Sequence, residues 1–412
     1  MALVAAVAPA CGSESGSAGG GGETRTVLAD YQHDEFASAF LRYYPEQVKV
    51  RPGDTVRFKQ TWTGEPHSVT MGRAVDDMVK NLPLIQKYES VEEALAAGET
   101  QETIDNLLAS FGKVPGMVGQ GDFEVFQAGA QPCYIADMED VPEFSIDDVP
   151  NPDAECPPGG KRKPAFNGRQ ALYNSGFIPY EGEKGNVFDV PVAKDAEPGT
   201  YTYFCNYHWL GMSGTIEIVK PTASIPSQSE VTRQARQEIE ADAKVALKKV
   251  RDAERAAAKG KVGDLNPPLS GLTSDDEFAV IINEFVPRKA RAKVGQKVTW
   301  TFDGFVHTVS FNVPKYFPLF TTAKDGTVTW NPRAHEPVGF EVPDDLPAFD
   351  RQEGAPEPRA LDAGEWDGRG GFFSSGALGP PDTFSLTFTR PGTYRYACVL
   401  HPQMIGTVDV RP

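Results

Sequence analysis

Cys398-Val399-Leu400-His401-Pro402-Gln403-Met404 closes a strand pattern that opens at a Pro391-Gly392 turn, and the chain carries the same construction once before. There it reads Cys205-Asn206-Tyr207-His208-Trp209-Leu210-Gly211-Met212, after Pro198-Gly199. Far upstream of each run stands a lone histidine beside an alternating strand pattern, His67 for the first and His307 for the second. One thiolate, two imidazoles and one thioether form a donor set that suits copper cycling between its two oxidation states, because soft sulfur and borderline nitrogen together favour that metal. The chain has six histidines, so only His33 and His335 fall outside this pattern, and both are read as surface residues.

The repeat continues outward from these runs. Asp34-Glu35-Phe36 recurs as Asp276-Glu277-Phe278, and the strand-turn-strand pattern from Val48 to Phe58 is echoed from Ala290 to Trp300. Asn174-Ser175-Gly176 matches Ser374-Ser375-Gly376, and each cysteine run is followed by a closing strand, Gly214 to Val219 and Gly406 to Val410. A self-similar half with period-two alternation and Gly turns predicts an all-β module, present twice. Between the lone His and the Cys the copies differ. The first interval holds a helical stretch with a capping signal at Ser90 and Glu93, then Cys133 and Cys156. The second, Ser310 to about Gly370, is rich in Pro, Gly and Asp and reads as ordered loop.

Ser227 to Lys259, free of Gly and Pro, is predicted to be one helix about 45 Å long at a 1.5 Å rise per residue. Ser227 with Glu230 caps it and Gly260 stops it. Val231, Ala235, Ile239, Ala243, Ala246 and Val250 form one narrow apolar stripe. Whether the helix spaces the modules apart or folds back along them is open at this level.

The chain of 412 residues has a formal charge of −17, which excludes nucleic acid as a partner through long-range repulsion. The charge fits a basic redox partner or simply a soluble exported protein. The apolar run Ala2 to Ala10, then Cys11 and a Gly/Ser-rich stretch, resembles the end of a lipoprotein signal peptide with Cys11 as the lipidated residue, although Ala8-Pro9-Ala10-Cys11 departs from the Leu-Ala-Gly-Cys form. The expectation is an exported protein, periplasmic, extracellular or held at the outer face of the cytoplasmic membrane through Cys11. No later segment is long and apolar enough to span a bilayer. Cys133 and Cys156 have no histidine nearby, so a local disulfide is expected rather than a metal pair.

Both modules resemble cupredoxins, the plastocyanin, amicyanin and pseudoazurin type of blue copper protein. The likeness lies in Glu65-Pro66-His67-Ser68-Val69 and Phe305-Val306-His307-Thr308-Val309 as first-ligand strands, and in the two Cys-to-Met loops. It implies an all-β chain of two Greek-key β-sandwiches with inserts, joined by a long helical linker. The expected parts are an N-terminal leader and tether (1–26), a first cupredoxin domain (27–221, insert 74–170), a linker (222–262) and a second cupredoxin domain (263–412, insert 311–370). It further implies two type 1 copper ions, one on His67, Cys205, His208 and Met212, the other on His307, Cys398, His401 and Met404. In the family the loop histidine reaches the surface inside an apolar patch where electrons pass. Here the patches would be Tyr207, Trp209 and Leu210, and Leu400, Pro402 and Ile405. The chain departs from the small cupredoxins in carrying Ser68 and Thr308 where they often have Asn, so the two reduction potentials are left open.

The function expected is a two-centre carrier of single electrons between protein partners. A copper storage or delivery protein is the alternative; against it, the seven methionines form no tract. Two-domain copper oxidoreductases of the nitrite reductase or laccase kind share the build, but they need a His just before the Cys ligand or His-x-His pairs. Phe204 and Ala397 precede the cysteines here, and no His-x-His occurs.

Overall fold

The computed structural model describes residues 22–88, 90–115, 125–146, 149–151, 153–178, 186–273, 279–342 and 358–412. The expected lipidation site Cys11 and the repeat member Asp276-Glu277-Phe278 lie outside these residues. Alternating patterns become strands as their period requires: Thr55–Gln60 buries Val56, Phe58 and Gln60 and turns Arg57 and Lys59 outward.

In the first module a four-stranded sheet runs in the order Val187–Pro191, Thr55–Gln60, Thr24–Ala29, Tyr43–Tyr44. A six-stranded sheet runs Gln47–Val50, Trp209–Ile218, Gly199–Cys205, Ser68–Met71, Leu172–Phe177, Cys133–Ile135. Residues from both sheets share one core, in which Tyr43, Phe58 and Tyr203 meet edge to face with Phe58 and Tyr203 centroids 4.9 Å apart. The second module repeats the plan. Val280–Val286, Leu269–Leu272, Lys297–Phe302, Thr383–Phe388 and Ala360–Trp366 lie in one sheet, and Lys289–Lys293, Ile405–Arg411, Gly392–Ala397, Ser310–Phe311 and Phe373–Ser374 in the other, with Trp300, Phe311 and Tyr396 central to the shared core.

The repeated Ser-Gly pair has one structural job in both copies. Ser175 Oγ accepts from Val69 N at 2.7 Å and Ser375 Oγ from Val309 N at 2.9 Å, so each anchors the backbone two residues past the lone His. The glycines that follow have φ of +62° and +67°, and a Cβ on either would meet backbone within 2.6 Å.

Three features differ from the sequence expectation. Ser38–Phe40, numbered within the first module, is an edge strand of the second module's sheet, antiparallel to Val280–Ile282. Ala37 N donates to Glu284 Oε1 at 2.8 Å, which extends the exchange by one residue. The expected first domain (27–221) contains this segment, and its three buried residues in a row carry no period that tells which sheet takes it. The second insert is not only loop, since Phe320–Thr322 pairs with Val328–Trp330 and Pro332–His335 is a helical turn. His33 and His335 are not surface residues: His33 is buried against Phe36, and His335 packs edge-on to Trp330, where burial pulls its imidazole down to about 4.

The first insert forms the helices Arg73–Lys87, Val91–Ala96 and Gln101–Gly112, and Ser90 Oγ accepts from Glu93 N at 3.1 Å. Cys133 and Cys156 are bonded as a disulfide that packs with Ile135, Phe144 and Leu172. The long helix is Gln228–Ala257, capped by Ser227 and Glu230 in a reciprocal box. It folds back rather than spacing the modules apart. Its stripe packs on Phe36, Phe40 and Tyr44 and on Leu269, Val280 and Ile282. Near its start Gln228 Oε1 accepts from Thr26 N, and near its end Glu254 Oε1 accepts from Arg288 N, so one helix is tied to both modules. Ile239 lies at the centre of the stripe and is fully buried. Ile239→Ala is expected to cost about 2–4 kcal/mol, lowering the midpoint of urea unfolding at unchanged slope; a change within about 0.5 kcal/mol would mean the helix is an undocked spacer.

Candidate metal centres

In each module three elements deliver three donors to one end of the fold. The strand Gly199–Cys205 ends on its thiol, the turn after it carries His208, and His67 sits just before the neighbouring strand Ser68–Met71. Cys205 Sγ lies 3.5 Å from His208 Nδ1 and 4.0 Å from His67 Nδ1. In the second module Cys398 Sγ lies 3.4 Å from His401 Nδ1, and His307 Nδ1 lies 3.0 Å from His401 Nδ1. Within each set the donor atoms all fall within 4.8 Å of one another. Met212 and Met404 are fully buried in the same apolar clusters as their cysteines.

The loops are held by backbone. Met404 N donates to His401 O and Cys398 N to Met404 O, both at 3.0 Å, which closes the shorter loop on itself. Trp209 takes a left-handed φ of +51° where the longer loop pairs back onto Cys205. Ser68 and Thr308, the departures noted above, do hold their ligand loops through the hydroxyl: Asn206 N donates to Ser68 Oγ at 2.8 Å and Val399 N to Thr308 Oγ1 at 2.9 Å. Their amides also point at sulfur, Ser68 N to Cys205 Sγ at 3.4 Å and Thr308 N to Cys398 Sγ at 3.3 Å. An amide aimed at a buried sulfur stabilises the thiolate, the form that binds metal.

Electrostatics agree. Burial opposes ionisation of Cys205 and Cys398, yet the imidazoles against them prevail and hold both thiols well below their ordinary value. Burial likewise opposes the His67 imidazolium, but its bonds to Asp30 and Cys205 push it up to about 10. A preformed cluster of one thiolate and two imidazoles, closed to water, fits a soft or borderline ion of the copper or zinc kind. No other group of three or more His, Cys, Asp or Glu donors comes together among the described residues.

Two residues that sequence reading missed complete the centres. Asp30, fully buried, places Oδ2 3.0 Å from His67 Nε2 while Oδ1 accepts from Phe40 N at 2.6 Å. The parallel pairing sets Ala29 against Gln60 and Ser270 against Phe302, so the counterpart of Asp30 is Gly271. Among the described residues His307 Nε2 accordingly has no hydrogen-bond partner, and burial pulls its imidazole below the ordinary value. The aligned Asp30 and Gly271 were the available signal, obscured because neither lies in a ligand run.

Glu65 is the second. It is buried, with Oε1 3.2 Å from His401 Nε2 and Oε2 3.7 Å from His208 Nε2. Burial works against its charge, but the two imidazoles outweigh it and hold the carboxyl well below the usual range. The two ligand loops therefore face each other. Gly64, at φ +119°, makes this approach feasible: a Cβ there would lie 2.4 Å from Leu400 O and 2.5 Å from His401 Cδ2.

This arrangement corrects the expected surface patches. His208 and His401 are almost fully covered, Leu400 is core, and Tyr207 packs edge-on against Phe320 of the other module at 5.8 Å. Trp209 stays exposed, stacked on Phe204, while Leu210, Pro402 and Ile405 are half-buried.

No family model and no curated protein matches the chain. Among solved structures, the chain is similar to an amicyanin mutant in its reduced state, at 19% identity over 31% of this chain and 73% of that one, with a TM-score of 0.18. It is similar to a purple cupredoxin from Nitrosopumilus maritimus, at 21% identity over 31% and 82%, TM-score 0.16. A reduced Cu(I) form of another amicyanin mutant aligns at 18% identity over 38% and 90%, TM-score 0.19.

Asp30 should make the first centre the tighter of the two for a divalent ion, since a carboxylate on the far nitrogen raises the basicity of the ligating one. Titrating the metal-free chain with cobalt(II) and following the thiolate charge-transfer bands should give two affinities. Asp30→Asn is expected to weaken the first by about 10- to 100-fold and leave the second unchanged.

Proposed function

We propose that the chain is a two-centre type 1 copper protein, exported from the cell, that passes single electrons between protein partners. The observation that carries this reading is the pair of buried His/Cys/His clusters, each with its donor atoms within 4.8 Å of one another and a methionine in the same core. Copper, when bound, supplies a one-electron couple between Cu(I) and Cu(II). The protein's part is to hold the donors in one arrangement for both states, so that little must move when the charge changes.

Rigidity and dryness come from the residues described above. The amides of Ser68 and Thr308 fix the sulfurs, Ser175 and Ser375 fix the strands carrying His67 and His307, and full burial of Cys205 and Cys398 keeps water out. The same burial favours an electron carrier over a storage or delivery protein, whose ligands must reach a recipient. An oxidoreductase reading would need further copper ligands, and the sequence keeps only His33 and His335 in reserve. The exposed Trp209 beside His208 is where we place electron exchange with a partner at the first centre. Attachment to a membrane through Cys11 belongs to the same proposal, as does a basic face on the partner to meet the charge of −17.

Copper analysis with visible absorption and EPR spectra tests the reading. Two coppers per chain are expected, each with an intense thiolate-to-copper band, one lost in Cys205→Ser and the other in Cys398→Ser. The first centre should have the lower potential, because Asp30 favours Cu(II). A third copper, or an EPR signal of a copper without thiolate, would restore the oxidoreductase.

A further inference from the structure

A buried carboxylate shared between the ligand loops of two separate modules is not needed for either centre alone. Each His/Cys/His cluster is closed within its own module, and the counterpart of Glu65 in the second is Phe305, which is exposed. Glu65 instead reaches out of its own segment, flanked by Gly64 and Pro66, into the gap between His208 and His401. In both loops the Nδ1 atom faces the cysteine sulfur, so the Nε2 atoms that face Glu65 are the outward ends of two prospective ligands. The path from one centre to the other then runs through one imidazole, one carboxylate and one imidazole, with separations of 3.7 and 3.2 Å. Tyr207, Phe177 and Phe320 pack beside it across the same interface, with Phe177 stacked on Phe320 at 5.2 Å, so the route is backed by apolar side chains.

From this juxtaposition we infer that the two centres form an internal relay in which Glu65 bridges His208 and His401 and carries the electron between them. The inference rests on the copper reading above. In the step, one electron leaves the reduced centre and arrives at the oxidised one; one copper goes from Cu(I) to Cu(II), the other from Cu(II) to Cu(I). No bond in the bridge forms or breaks and no proton moves. Trp209 receives the electron from an external one-electron reductant, and the second centre, without the Asp30 contact, is the acceptor.

The experiment uses the full chain loaded with copper. A pulse of reductant supplying less than one electron per chain populates the singly reduced state, and the redistribution between centres is followed by absorption. For the wild type a first-order step independent of protein concentration is expected. Glu65→Gln keeps one acceptor oxygen and Glu65→Ala keeps none, so the rate should fall in that order, by at least about tenfold in the alanine variant. Each centre should keep its thiolate band, and the radius of gyration from solution scattering should not change. In the metal-free, nitrogen-15-labelled chain, the Nε2–H resonances of both His208 and His401 should shift in the two variants. Equal rates in all three proteins, or exchange that depends on protein concentration in the wild type, would overturn the relay. So would a rate that falls only where the radius grows, which would assign Glu65 to holding the modules together. Failure of the wild type to bind two coppers with thiolate bands would instead sink the underlying reading before Glu65 is altered.

Discussion

A carboxylate taken out of water without a partner costs several kcal/mol even after the surroundings relax, and that cost organises this molecule. Glu65 faces two imidazoles, one from each ligand loop. Satisfying it requires the cysteine ends of the two modules to meet loop to loop. The other inter-module contacts are consistent with that single docking: the long helix lies across both modules, and Gln127 of the first insert bonds Val328 in both directions, at 2.7 and 2.9 Å.

The two centres are built alike but are not equal. Their sulfurs receive equivalent backbone amides and their loops equivalent hydroxyl anchors, which leaves two differences, one residue of loop length and the outer face of the lone histidine. Asp30 answers it in one module, and in the other Gly271 lies so near that a Cβ there would be 2.4 Å from His307 Nε2. A duplicated framework therefore offers two settings of one site, altered in the length of a ligand run and at a position outside both runs.

Much of this was legible in the chain. The ligand runs, the strand periods around them, the cap at Ser227 and the stripe on the long helix follow from local rules, and local rules need only neighbours in sequence. What they could not show depends on how distant parts meet. The stripe Val231 to Val250 says that a face is buried, not that Phe40 and Ile282 bury it together. His208 looks like a surface ligand until Glu65 and the second module cover it. Glu65 itself stands in plain view two residues before His67, yet a lone acidic residue in a loop has no meaning until its burial is known. The same holds for Ser38–Phe40, three buried residues in a row with no period that assigns them to either module.

That exchanged strand bears on how the protein comes off the ribosome. Phe40 pairs with Val280, so about 240 residues must be added before its partner exists. At about 5–20 residues per second the segment waits roughly 10–50 s, and the first module, complete only at Ile218, spends roughly the last 3–12 s of that time with a bare segment that its own sheets do not accept. An unpaired strand edge of that kind invites pairing with a neighbouring chain, so the newborn protein is most vulnerable to wrong association before its second half emerges.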